Sequence, residues 1–152
     1  MKAARSLGMK TLLVTGWGGL VPSAEHDQAS DVLVRRAVPH SAVLPRVAIG
    51  IHHGGAGTTH AFVRAGTPSI IVPFLADQPW WGARLSSQGF SSKPLSRAAT
   101  RPSVIAKSIK EALSKRDQVE RAAATMAQED GAGVALAIIE RAEAGVSPLR
   151  PA

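Results

Sequence analysis

The residues best equipped for chemistry stand between His52 and Gln78. His52 and His53 lead into Gly54, Gly55, Ala56 and Gly57, then Thr58 and Thr59, and a helical run extends to Gly66. Glycines at the end of a strand let a ligand approach the backbone closely. Threonines opening a helix stand where unpaired N–H groups and the positive end of the dipole favour an anion. Asp77 and Gln78 follow a second apolar run, Ser69–Val72. A carboxylate beside an amide supplies the acceptor and donor that neighbouring hydroxyls need. This spacing suits a phosphate at the glycine turn and an attached polyhydroxyl group at the next loop.

Each of these residues also has a plainer reading. Asp77 is in place to cap the helix that follows it. His40 reads as a surface loop histidine, and Trp17, set between glycines, as a loop anchor or the wall of a cleft. His52 and His53, with His40 or His60, offer imidazoles to a metal. No Asp or Glu stands close by in sequence, however, and successive residues of an extended chain point to opposite sides. His53 is better suited to donate a ring N–H to a phosphate oxygen, and His52 to shape the turn or pack against it. No Gly-x-x-x-x-Gly-Lys-Ser/Thr occurs, which excludes a P-loop. Gly55-Ala56-Gly57 with Asp77 downstream approaches the dinucleotide fingerprint, but His60 stands where the third glycine belongs.

The elements that must position these residues follow from patterning. Val47–Ile51 is apolar and β-branched, which predicts a strand buried on both faces. In an open parallel sheet the loops after it and after Ser69–Val72 open on one carboxyl-end face. Lys2–Leu7 reads as the end of a helix stopped by Gly8. Thr11–Thr15 reads as a buried strand closed by Gly16-Trp17-Gly18-Gly19, Val21–Ser30 as a loop and Asp31–Val34 as a strand. Val38-Pro39-His40-Ser41 leads into a turn or short helix towards Pro45. Pro79–Gln88 predicts a helix in which Trp80 and Trp81 diverge, one inward and one towards a cleft or an absent partner. Ser91–Arg101 is irregular and basic. Pro102 opens a helix with an apolar stripe of Val104, Ile105, Ile109, Ala112 and Leu113. Asp117–Gln128 and Val134–Ala144 read as helices separated by a break at Gly131 and Gly133, with 146–152 a frayed tail. Strands alternating with helices predict an α/β fold, a Rossmann-like parallel sheet with helices on both faces, in one domain over 1–145. A mere stub of helix precedes the first strand, so the fold reads as truncated at its start.

Composition bounds the rest. The 152 residues are 45% hydrophobic and 19% charged with 14 Gly, a single-domain α/β profile. The absence of cysteine excludes disulfides and thiolate metal sites and fits a reducing compartment. No apolar run has the length of a membrane span, and the N-terminus lacks the long apolar region of a signal peptide. The formal charge of +7 reads mostly as a solvated surface, because the few aromatics do not alternate with basic residues as base stacking requires.

Three motifs together resemble the nucleotide-sugar half of the family 1 glycosyltransferases: His52-His53-Gly54-Gly55-Ala56-Gly57-Thr58-Thr59, Arg64-Ala65-Gly66-Thr67-Pro68, and Pro73-Phe74-Leu75-Ala76-Asp77-Gln78-Pro79-Trp80-Trp81-Gly82. The resemblance is closer to the sterol 3-β-glucosyltransferase branch than to antibiotic and macrolide enzymes. Gly16-Trp17-Gly18-Gly19-Leu20, Val38-Pro39-His40-Ser41 and Leu44-Pro45-Arg46 agree with that branch, and the likeness runs from Met1 to about Ala112. It implies the carboxyl-terminal half of a GT-B enzyme, with two facing Rossmann-like domains. Acceptor site and catalytic base would belong to the other half, so no catalytic residue is expected in this chain. It implies that His53 contacts a diphosphate with donors from Ala56, Gly57 and Thr58, that Val38 and His40 border uracil and ribose, and that Asp77 and Gln78 bind glucose hydroxyls. It further implies no metal or cofactor, a UDP-sugar as donor substrate, and direct displacement with inversion. The acceptor would be a sterol-like or other lipophilic alcohol. No nucleic-acid partner is implied; the expected location is cytoplasmic, with transient membrane contact compatible with a sterol acceptor. Two departures stand out: the strand and glycine-serine turn that open this domain in the family are missing, and Ala42 replaces a usual aromatic. The alternatives are a non-catalytic UDP-sugar-binding half that needs a separate acceptor domain and, behind it, a dinucleotide-binding module.

Overall fold

The computed structural model describes residues 1–16, 21–24, 29–98 and 101–145. Helix α1 (Lys2–Arg5) ends in a reversal at Gly8, whose φ of 68° suits glycine. Strand β1 (Thr11–Val14) pairs in parallel with β2 (Val32–Arg35), Thr11 opposite Val32 and Val14 opposite Arg35. Arg5 clamps this pair to α1 by donating to both carboxylate oxygens of Asp31, at 2.6 and 2.9 Å. Helix α2 (His40–Val43) runs directly into a 3-10 turn, Leu44–Arg46.

A parallel βαβ unit comes next. Strand β3 (Gly50–His52), helix α3 (Ala56–Arg64) and strand β4 (Ser69–Ile71) place Gly50 opposite Ser69 and His52 opposite Ile71. Ser91 adds a parallel bridge to Ser69. The remaining helices are α4 (Gln78–Ser87), α5 (Pro102–Leu113), α6 (Arg116–Met126) and α7 (Gly131–Glu143).

The core is built around β4. Its successive side chains point to opposite faces, and both faces are covered. Ile70 joins Ala3 of α1 and Ile109 and Ala112 of α5, while Ile71 joins Val63 of α3 and Leu85 of α4, with Ala122 and Met126 of α6 packed on them. Helices on both faces of parallel strands are therefore the architecture of the chain. The stripe on α5 divides as its period demands, with Ile109 and Ala112 buried and Val104 exposed.

Several boundaries differ from the sequence reading. The predicted strand Val47–Ile51 is realised as Gly50–His52, because Val47 still donates to Leu44 O at 3.3 Å to close the 3-10 turn. Ile51 is 52% exposed rather than buried on both faces. Its strand pairs only with β4, as β1 pairs only with β2, and no ladder joins the two pairs among the described residues. The break in the helical tail falls at residues 127–130, just before Gly131 and Gly133, which form the first turn of α7, where Asp130 accepts from the Gly133 N–H at 2.9 Å. That cap offsets the poor helix propensity of the glycines. Val134, Leu136, Ile138 and Ile139 of α7 are exposed. The expectations for Trp17 and its glycine turn, for part of the Val21–Ser30 loop and for the tail 146–152 lie outside the described residues. Among the described residues, no helix is long and apolar enough to cross a membrane.

Ile71→Ala empties a site with no solvent exposure and is expected to cost about 2–5 kcal/mol in urea unfolding. Ile51→Ala, on the exposed side of β3, is expected to change stability by no more than about 0.5 kcal/mol.

Candidate functional site

The turn after β3 is set by Gly54. Its φ is 92°, and a Cβ there would lie 2.7 Å from Ile71 Cγ2 and 3.3 Å from Gln78 O. The missing side chain lets the β3–α3 turn lean on both the buried end of β4 and the start of α4. The glycine turn and the Asp77–Gln78 loop therefore share one end of the βαβ unit.

The adjacent histidines take different roles. His52 Nδ1 accepts the Gly54 N–H at 3.1 Å, and its ring stacks on Phe62 with centroids 4.7 Å apart and planes 9° from parallel. Phe62 in turn fills the space a Cβ on Gly50 would occupy. Accepting through Nδ1 puts the proton of the neutral imidazole on Nε2, a buried atom with no partner among the described residues. Burial, then the neighbouring His53 and His40, lowers the His52 pKa from 6.5 to about 4. His52 thus shapes the turn, as its position in the sequence suggests. His53 is exposed, and its ring lies along Gly55, whose Cβ position is 2.6 Å from His53 Nε2.

Helix α3 begins with Gly55 as N-cap and has no side-chain cap. The first amide bonded within the helix is that of Thr59, to Gly55 O at 2.9 Å. The N–H groups of Ala56, Gly57 and Thr58 are left at the mouth of the turn. Above Gly57 the space is open, since a Cβ there would meet nothing within 4 Å. Thr58 is half-buried; Thr59 is fully buried, with its hydroxyl unpartnered among the described residues.

The second loop is more constrained than its sequence suggests. Ala76 is the one described non-glycine residue with positive φ, at 56°. Gln78 Oε1 accepts from the amides of Phe74 and Leu75 at 2.8 and 3.2 Å, so the side-chain oxygen closes the loop, while the amide nitrogen makes no hydrogen bond among the described residues. Asp77 occupies the N-cap position of α4, but with φ −79° and ψ −9° its carboxylate does not cap the helix. Oδ2 instead accepts from Trp81 Nε1 at 2.9 Å, and the residue is exposed. The plain capping reading of Asp77 is thereby corrected. Trp81 packs inward against Val63, Ile71 and Leu85 while Trp80 is 59% exposed, the divergence expected of neighbours on a helix.

Val38 is half-buried just before α2, and His40, the first residue of α2, is exposed. The Leu44 carbonyl behind it accepts the Thr67 hydroxyl at 2.6 Å, which ties this segment to the α3–β4 loop. Sequence reasoning did not identify Phe62 as the stacking partner of His52, nor Arg97, whose guanidinium lies 4.8 Å from the Phe74 ring centroid. The bond from Trp81 to Asp77 had a signal in their i, i+4 spacing. Arg97 had none, being brought to Phe74 by tertiary folding. Among the described residues no group of three or more His, Asp or Glu is placed to hold a metal ion.

Comparison with known proteins adds the following. A family model described as erythromycin biosynthesis protein CIII-like, C-terminal domain, matches residues 25–141. The chain is 36% identical over 141 residues to an O-mycaminosyltylonolide 6-deoxyallosyltransferase of Streptomyces fradiae, covering 91% of this chain and 32% of that protein. It is 34% identical over 128 residues to a sterol 3-beta-glucosyltransferase of Arabidopsis thaliana, covering 83% of this chain and 21% of that protein. The crystal structure of the glycotransferase of kitacinnamycin superimposes with a TM-score of 0.77 over 87% of this chain and 34% of that chain, at 21% identity. The chain thus spans between 21% and 34% of the length of these relatives.

The His52 shift predicts how stability responds to acid. The unfolded chain takes up this proton near pH 6.5 and the folded chain only near pH 4. The stabilisation from neutral His52 is present above pH 6.5 and is lost as the pH falls towards 4, by on the order of 1 kcal/mol per pH unit. Urea unfolding across this range is expected to show a shallower acid loss in His52→Phe, which keeps a ring on Phe62 but has no group to titrate.

Proposed function

We infer the function from the family: the chain belongs to the erythromycin biosynthesis protein CIII-like C-terminal domain family, the nucleotide-sugar half of the family 1 glycosyltransferases, with the corresponding GT-B half fold. On that premise we propose that it is the donor-binding part of a glycosyltransferase. That enzyme would move a hexose, most simply glucose, from UDP-sugar to a hydroxyl of a sterol-like or other lipophilic acceptor, with inversion. One observation carries the reading. The contact of Gly54 with Ile71 and Gln78 sets the open amides of α3, the ring of His53 and the carboxylate of Asp77 at one end of the βαβ unit.

In this reading the donor diphosphate lies across the N–H groups of Ala56, Gly57 and Thr58 with His53 beside it. Val38 and His40 border the uracil and ribose. Asp77 accepts from sugar hydroxyls, and Gln78 contributes through its amide nitrogen. An acceptor oxygen attacks the anomeric carbon from the face opposite the diphosphate, the bond to the diphosphate oxygen breaks, and UDP leaves. Charge growing on that oxygen is met by the helix end and by a ring N–H of His53, which take the part a metal ion plays elsewhere. The acceptor and the base that takes its proton belong to a facing domain.

The sterol side of the reading draws support from the similarity to a plant sterol glucosyltransferase; the similarity to a deoxyallosyltransferase favours a wider range of lipophilic acceptors. A cytoplasmic protein in transient contact with a membrane fits a sterol acceptor. A second reading makes the chain a non-catalytic UDP-sugar-binding half that works with a separate acceptor-domain protein. The exposed Trp80 and the separate β1–β2 and β3–β4 pairs favour association of that kind.

Isothermal titration tests the shared core of both readings. Wild-type chain is expected to bind UDP and UDP-glucose, and His53→Ala to weaken both by about tenfold, the loss of one charge-assisted hydrogen bond. Absence of binding at millimolar ligand, from a chain shown by circular dichroism to be folded, contradicts the reading.

A further inference from the structure

The carboxylate assigned to the sugar is held from behind. Asp77 has helical backbone angles, so its side chain does not turn back onto the free amides of α4. Oδ2 accepts from the indole N–H of Trp81 at 2.9 Å, one turn further along the helix, and Oδ1 has no partner among the described residues. Trp81 is itself fixed on three sides. It meets His60 of α3 edge-on at 5.0 Å and Trp80 edge-on at 4.7 Å, and its body packs on Val63, Ile71 and Leu85. The indole therefore touches both α3, whose first turn opens the glycine site, and α4, which carries Asp77.

We propose that Trp81 is a positioning residue for sugar recognition: its N–H fixes one oxygen of Asp77 so that the other is presented to the donor sugar. The proposal rests on the assignment of Asp77 to the sugar. Tryptophan suits this role because it combines a rigid apolar body with a donor that is never an acceptor. Left unpinned, an exposed carboxylate samples several rotamers, and each sugar contact must then restrict it on binding. None of these contacts of Trp81 is with a residue assigned to the diphosphate, so its effect is expected on the sugar. It separates UDP-sugar from UDP.

The test is titration of UDP and UDP-glucose into wild type, Trp81→Phe, Trp81→His, Trp80→Phe and Asp77→Ala, each checked for folding by thermal melting. The readout is the ratio of UDP-glucose affinity to UDP affinity. Trp81→Phe is expected to lower that ratio about tenfold while UDP affinity stays within about twofold. Trp80→Phe leaves the Asp77 bond intact and is expected to leave the ratio unchanged. In Trp81→His the imidazole Nε2 takes the ring position of the indole Nε1, so the ratio is expected to be kept; this variant carries the test if the Phe variant does not fold. Asp77→Ala lowers the ratio as well, and adding Trp81→Phe to it lowers the ratio no further, the coupling expected of two residues that act as one. Equal loss of both ligands in Trp81→Phe, an unchanged ratio, or loss of the ratio in Trp81→His overturns the positioning role. If Asp77→Ala itself leaves the ratio intact, the assignment of Asp77 to the sugar falls, and the role of Trp81 falls with it.

Discussion

The site depends on a close approach that only a missing side chain permits. Gly54 leans on Ile71 and on the Gln78 carbonyl with no room for a Cβ, and through that contact the loops after β3 and β4 are held as one surface. The groups proposed for the diphosphate and the sugar hang from it. His53 and the open amides of α3 follow Gly54 on one side, and Asp77 precedes Gln78 on the other. Ile71 behind them is fully buried and shared with α3 and α4. The core of the domain therefore reaches directly to the floor of the site, which keeps loop residues in place without long-range ties.

Two neighbouring histidines illustrate how the strand end divides its labour. His52 is drawn inwards, stacked on Phe62, kept neutral by burial and made an acceptor for the turn. His53 falls on the other side of the extended backbone, reaches solvent and lies over Gly55. A structural imidazole and an accessible one follow from the alternation of side chains in a strand. Glycines at 54 and 55 let the first bond the turn and the second cross it.

Much of this was legible in the sequence because glycine and helical periodicity leave strong marks. The βαβ unit, the parallel α/β class, the stop at Gly8 and the divergence of Trp80 from Trp81 all follow from local pattern. What escaped depends on partners distant in sequence or on competition between short-range bonds. An apolar β-branched run looks the same whether or not a second strand covers its far edge, so the exposure of Ile51 was hidden. Gln78 reads as a wholly free amide until its oxygen is seen closing its own loop, and Asp77 reads as a helix cap until Trp81 takes its oxygen. Gly131 and Gly133 look like a break until Asp130 is seen to cap the helix they begin. The acceptor is illegible for a different reason. Relatives named for a sterol and for a tylonolide derivative match 83% and 91% of the chain at similar identity, so this region carries little information about the acceptor.

The most direct test of a donor site shared between the two loops is a nuclear magnetic resonance titration that follows backbone amides. UDP is expected to shift the amides of Ala56, Gly57 and Thr58 and the ring of His53, and UDP-glucose to shift these together with Asp77, Gln78 and the indole N–H of Trp81. Shifts confined to other surfaces, or UDP-glucose shifts that leave the Asp77 loop untouched while the glycine turn responds, would contradict the account.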